Sequence, residues 1–263
     1  MKKTLSIILA VVLMMTMLLP MAAFAGDGMV AEIVGGSQYA TLAEAFAAAA
    51  NGDTVKLLAN YDASFINDSP EIVGKEVTFD LNGFTDILSS NGQGNVLIVA
   101  DAGILTVIDA SEGDTGTLKG SFLFIIYGED SELHLNGGKI VSDIAQFPLV
   151  SLGCPGNIGV TTEKVFAINC KVEIDGATID GGGAPIISDD LGKGFDSSLS
   201  AKCNTSTAVE VKSGSISNSG SDILDISGGT KTATVTGGTF DETLRAKIAD
   251  YLPAGYELGE NGK

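Results

Sequence analysis

Tryptophan is absent from the 263 residues, and histidine occurs once, at His134. Arginine also occurs once, at Arg245. These scarcities exclude much chemistry. Ser–His–Asp and Cys–His catalysis each need a base positioned beside the nucleophile. His134 lies between Leu133 and Leu135, so strict alternation turns those leucines inward and the histidine toward solvent. Without tryptophan there is no flat indole platform of the kind that commonly stacks on sugars. Cys154, Cys170 and Cys203 fit no CxxC-type zinc spacing, and read as small buried residues or as one incidental disulfide plus a free thiol. Six prolines and no Ser/Pro-rich break leave no sign of a disordered linker. The run Gly181-Gly182-Gly183 lacks the lysine and hydroxyl context of a phosphate loop, and the calcium repeat GGxGxDxUx is missing.

Positive charge is scarce too: 15 lysines and arginines stand against 33 acids, a net charge of −18. Binding of duplex nucleic acid is excluded on that balance, because it rests on neutralising phosphates with Lys and Arg. The balance leaves room for Ca²⁺, which prefers carboxylate and carbonyl oxygens. The one long apolar run, Leu5 to Leu19, follows Lys2 and Lys3 and is broken at Pro20 before Ala23-Phe24-Ala25. That order predicts a cleavable signal peptide over residues 1–25, with a working chain from Gly26 that is secreted or held at the cell surface. Losing two lysines and no acids takes the charge from −18 to −20. The run is shorter than the about 20 residues of a spanning helix, so no membrane insertion is expected after cleavage. Neither a lipid-accepting cysteine nor an LPxTG-like sorting signal is present to hold the chain.

What is present is glycine, 34 residues of it, set among short alternating segments. Ala31 to Val34 reads as a strand, and a helix is predicted over 41–51. There Thr41 and Glu44 form a capping box, an alanine run follows, and Gly52 suits the C′ position. Five later segments share one unit: Val77–Gly83, Leu133–Ile140, Val172–Ile179, Val209–Ile216 and Ala233–Phe240. Each is an apolar–polar–apolar strand, a small or glycine-containing corner, and then an apolar anchor in the last four: Ile140, Ile179, Ile216 and Phe240. Further strand candidates at Phe122–Ile126, Val165–Ile168 and Ile223–Ile226 would supply other faces. A short unit with variable insertions describes an all-β, single-stranded parallel solenoid over 26–263, whose stacked coils bury one continuous core. Intervals longer than one coil imply two coils or bulging loops, the largest being 141–164 and 183–204. The 41–51 helix and a second one over 241–250 would close the two ends, with Tyr251 and Tyr256 packing over the last coil.

These units, headed by Tyr39-Ala40-Thr41-Leu42-Ala43-Glu44-Ala45 and Asn51-Gly52-Asp53-Thr54-Val55 and closed by Gly237-Gly238-Thr239-Phe240, resemble the pectin-lyase-like right-handed parallel β-helix superfamily. The likeness covers about residues 30–258, and is nearest to non-enzymatic secreted and surface proteins of Gram-positive bacteria. Enzymes of that fold imply specific residues: aspartates with His-Gly and Arg-x-Lys motifs, an arginine beside acidic metal ligands, or two aspartates with an arginine. Here Leu135 follows His134, and Arg245 lies in the terminal segment. No catalytic residue and no cofactor is therefore assigned. The candidate binding residues are Asp189, Asp190 and Asp196, on a loop rich in Gly, Ser and Asp, with Ca²⁺ as the one ion they suit. The expected function is that of an exported, non-catalytic, adhesin-like interaction protein that meets an extracellular glycan or protein through its long loops. The alternative is a divergent polysaccharide lyase or glycoside hydrolase using paired carboxylates.

Overall fold

The computed structural model describes residues 28–64, 66, 68–90, 93–145, 147–153, 166–188, 204–219, 223–225 and 230–259. The predicted signal segment 1–25, Cys154, Cys203 and the candidates Asp189, Asp190 and Asp196 lie outside the described residues.

Period-two alternation, β-branched residues and glycine corners produce an all-β chain in which a 20-stranded, mostly parallel sheet holds nearly every strand. The chain runs a repeated circuit through three stacks of strands. The first stack contains Asp53–Leu57, Glu76–Asp80, Ile104–Ile108, Glu132–Leu135, part of Phe166–Asp180, part of Asn204–Ser217, and Thr230–Val235. Its inward column is in register throughout: Val55, Phe79, Val107, Leu135, Ile174, Val211 and Val235. The second stack aligns Tyr61, Asp86, Leu118, Ile140, Ile179, Ile216 and Phe240. The third runs through Glu71–Val73, Leu97–Ala100, Phe124–Glu129, Val150–Leu152, Ile187–Ser188 and Leu224–Asp225. Inward residues of all three stacks merge into one buried apolar cluster. Each fully buried Val, Leu, Ile or Phe there contributes roughly 1.5–3 kcal/mol.

The intervals between units differ in the number of circuits they hold. From Val77 to Leu133 the chain makes two circuits through Leu105. From Ile140 to Ile179, Ile216 and Phe240 it makes one each. The corner between the first two stacks shows why glycine recurs. Gly176 and Gly214 both have φ of 112°, and a Cβ at Gly214 would lie 2.4 Å from the Ala177 carbonyl oxygen. Aspartates tie other corners to neighbouring circuits: Asp80 accepts from Ala110 N–H at 2.9 Å, and Asp109 from Gly83 N–H at 2.8 Å.

The ends correct the sequence reading in detail. Helix α1 covers Leu42–Ala48, three residues short of the expected 51. Thr41 caps it by accepting from Glu44 N–H, but the helix ends at Ala49 rather than at Gly52. Lys75 reaches its last carbonyls, with Nζ 2.6 Å from Phe46 O and 2.8 Å from Ala49 O. This cation satisfies the open acceptors at the negative end of the helix. Ala31–Ile33 pairs antiparallel with Asp53–Leu57 and covers the first edge. At the other end Asp241 caps helix α2, Glu242–Ile248, and a 3₁₀ turn Ala249–Tyr251 completes the expected 241–250 element. Tyr251 packs on the core there, whereas Tyr256 is exposed.

The two expected bulges are not projecting loops where they are described. Ile144 and Phe147 join a second apolar cluster on the outer side of the third stack, with Val96, Ile98, Phe122, Ile125 and Tyr127. Val150–Leu152 is itself a third-stack strand, and Ala184 and Ile186–Ser188 are buried. The Val165–Ile168 candidate is described from Phe166: Ala167 and Ile168 pair in parallel with Gly128 and Glu129 of the third-stack strand, and a register shift at Asn169 separates them from Lys171–Ile174 within one long strand.

Candidate functional site

Outward side chains of the first stack form a column as regular as the inward one: Thr54, Thr78, Thr106, His134, Glu173, Glu210 and Thr234 are in register. Strands in a sheet lie about 4.7–4.9 Å apart, so neighbours in such a column touch. The threonines leave the early rungs uncharged. The fourth to sixth rungs carry His134, Glu173 and Glu210 instead, and an adjacent column adds Glu132 and Lys171.

Glu173 is the hub. Its Oε2 lies 2.7 Å from Lys171 Nζ and 2.6 Å from Lys212 Nζ, and its Oε1 lies 3.7 Å from His134 Nδ1. Lys171 also reaches Glu210 at 3.1 Å, and Lys212 reaches it at 3.7 Å. His134 Nε2 sits 2.9 Å from Glu132 Oε2. His134 points outward as the alternation requires, yet these carboxylates cover it until 18% of its side chain is exposed. Burial alone would raise the Glu173 carboxyl, but hydrogen bonds and charge from Lys171 and Lys212 win and hold it at about 2. Glu173 in turn raises both lysines above their usual value. These groups are locked in their charged forms, far from the near-neutral poise of a general acid or base.

Beside the network the register shift at Asn169 opens the sheet surface. Asn169 takes the left-handed conformation, φ 54°, as a bulged residue. The in-register column Glu132, Lys171, Ala208 and Thr232 crosses the same place, and Ala208 is too small to fill its rung. A groove of about 330 Å³ with a mixed polar and apolar lining results, bounded by Glu132, Asn169, Lys171, Ser206, Ala208 and Thr232 among others. Its floor holds Cys170, a free thiol pushed up to about 11 chiefly by burial, so it stays protonated and unreactive. The hydroxyl of Thr207, also on the floor, has no hydrogen-bond partner among the described residues. Among the described residues no group of three or more His, Cys, Asp or Glu side chains is placed to hold a metal ion. No helix among them is long and apolar enough to cross a membrane.

The charged column escaped sequence reasoning, although its signal was there. Aligning the repeated unit puts His134, Glu173 and Glu210 at one position, and that alignment is the observed register. In comparisons with protein-family models, with curated proteins and with solved structures, nothing matches this chain.

Proposed function

We propose that this chain is an exported, non-catalytic interaction protein built on a right-handed parallel β-helix of the pectin-lyase-like kind, and that it binds an extracellular glycan on the outer face of its first stack. The groove over Ala208, whose lining mixes polar and apolar surface, carries this reading. Its volume lies at the small end for ligand sites, which run about 300–1,000 Å³. Hydroxyl, amide, carboxylate and ammonium groups converge there without an aromatic ring, a lining suited to a hydroxyl-rich unit. The adjoining charges neutralise one another rather than activate anything, which favours holding over cleaving.

A glycan array probed with the purified protein tests this, with an Ala208→Gln variant as control. Ala208 is an outward position, so the larger side chain fills the groove and leaves the core alone. Binding that survives in the variant at full strength places the ligand elsewhere. Cleavage of an acidic polysaccharide that Asp189→Asn abolishes would replace the proposal by the enzymatic reading. Export has its own measurement: protein recovered outside the cell is expected to begin at Gly26.

A further inference from the structure

At every rung from Leu118 to Phe240 the second stack places an apolar side chain in the core, but one circuit earlier the same position is Asp86. Asp86 is completely buried, and neither carboxylate oxygen has a hydrogen-bond partner among the described residues. The groups that face it offer no relief. Tyr61 is in register with it on the preceding strand, and Asp62 and Asp68 act on it with negative charge. Tyr61 also feels Asp68 and Glu44, and its hydroxyl donates to Asp68 Oδ2 at 2.8 Å. Both oxygens of Asp68 act as acceptors, from Leu42 N–H at 3.1 Å and Ala43 N–H at 2.7 Å at the start of α1. A charge on Asp86 would therefore be desolvated, unpaired and beside a second fixed negative charge. Burial first, then Asp68 and Asp62, push its carboxyl well above the ordinary range.

We propose that Asp86 is a buried proton site that locks the N-terminal end of the molecule. When neutral it packs as one more rung of the second stack. When ionised it repels Asp68 and loosens Tyr61 and the helix that Asp68 caps. The end is thereby tightened by acid and eased as the medium becomes alkaline. A metal ion is the rival occupant, but Asp68 already spends both oxygens on backbone N–H groups and the Tyr61 hydroxyl.

The sign is fixed by linkage. A pKa raised in the folded state means that stability is full below the unfolded value of 3.8 and falls as pH rises toward the folded value. Denaturant unfolding of the protein and of Asp86→Leu, measured from pH 4 to 9, tests it. The ratio of wild-type to variant unfolding constants is expected to climb by up to about tenfold per pH unit, levelling where Asp86 ionises. Hydrogen-exchange protection of the α1 amides should fall over the same window in the wild type and stay flat in the variant. A ratio independent of pH overturns the proposal. So does calcium or sodium that stabilises the wild type at neutral pH but not the variant. If Asp86→Leu does not fold, the carbon-13 shift of the Asp86 carboxyl in the wild type decides: a protonated signal at neutral pH supports the proposal and an ionised one sinks it.

Discussion

The first and second stacks follow one repeating rule, and only the first obeys it to the end. Inside the first, seven in-register rungs from Val55 to Val235 are all apolar. Inside the second, five apolar rungs from Leu118 to Phe240 are preceded by Tyr61 and Asp86. The polar rungs coincide with the region where Asp68 and Asn95 cross-link the first circuits. Asn95 accepts from Asp68 N–H at 2.7 Å and donates to the carbonyls of Ala63 at 2.6 Å and Ile66 at 2.8 Å. An inserted antiparallel hairpin, Ser89–Ser90 with Gln93–Gly94, leaves the same circuit. One end of the solenoid-like stack is thus held by polar specificity and the rest by apolar repetition. A sequence that breaks its own rule at one place marks that place as strained or functional.

The harshest way to break the contrast is to copy Asp86 into the regular part. Ile179→Asp puts a carboxyl between Ile140 and Ile216 with no adaptation around it. Cooperative unfolding at neutral pH is expected to vanish, since an unpaired buried charge costs several kcal/mol or more. A circular-dichroism melt reads this directly, and a preserved sharp transition would mean that the column tolerates polarity anywhere. Ile179→Ala is milder. It leaves a cavity in a stacked column, and about 2–5 kcal/mol should be lost in urea titration. The polar end answers to a different substitution. Asp68→Asn keeps the shape but leaves one acceptor oxygen for three donors at α1 and Tyr61. A loss of about 1–3 kcal/mol is expected, with the pH dependence assigned to Asp86 weakened because a neighbouring charge is gone.

The same contrast explains what the sequence made legible. Alternation, glycine corners and caps announce themselves within ten residues, so the anchors Ile140, Ile179, Ile216 and Phe240 were found before their stacking could be seen. The rung Ile104–Ile108 escaped the unit because residues 109–116 intervene before Leu118, where the other units turn on one or two glycines. Asp86 was hidden for a stronger reason. Aspartate is depleted in strands, and in Thr85-Asp86-Ile87 alternation nominates the neighbours for the interior. Register, which pairing with Leu118 imposes, overrides that local preference. The groove was missed because a bulge and a small residue make a depression only when three strands far apart in sequence lie side by side. For Asp189, Asp190 and Asp196 the sequence alone speaks.

The smallest expected effect sharpens the outer surface against the inner one. Glu173→Gln removes the hub of the ion pairs while Glu210 still faces both lysines. Because Lys171 and Lys212 are partly solvated and Glu210 still pairs with them, the loss at neutral pH should be about 1–2 kcal/mol, short of the roughly 3 kcal/mol that the full shift of the buried Glu173 would carry. Its pH dependence runs opposite to that of Asp86. The Glu173 carboxyl falls from an ordinary 4.5 to about 2 on folding. Its contribution is therefore present above pH 4.5 and disappears as the pH falls toward 2. Wild type and Glu173→Gln should differ by a constant amount from pH 5 to 9 and converge in strong acid. Asp86→Leu and the wild type should instead diverge from pH 4 upward. Two carboxyls titrating in opposite senses, one inside the second stack and one on the outer face of the first, separate by melting curves alone. A Glu173→Gln gap that widened in acid would mean that the two lysines, not the carboxylate they surround, set the electrostatics of the groove.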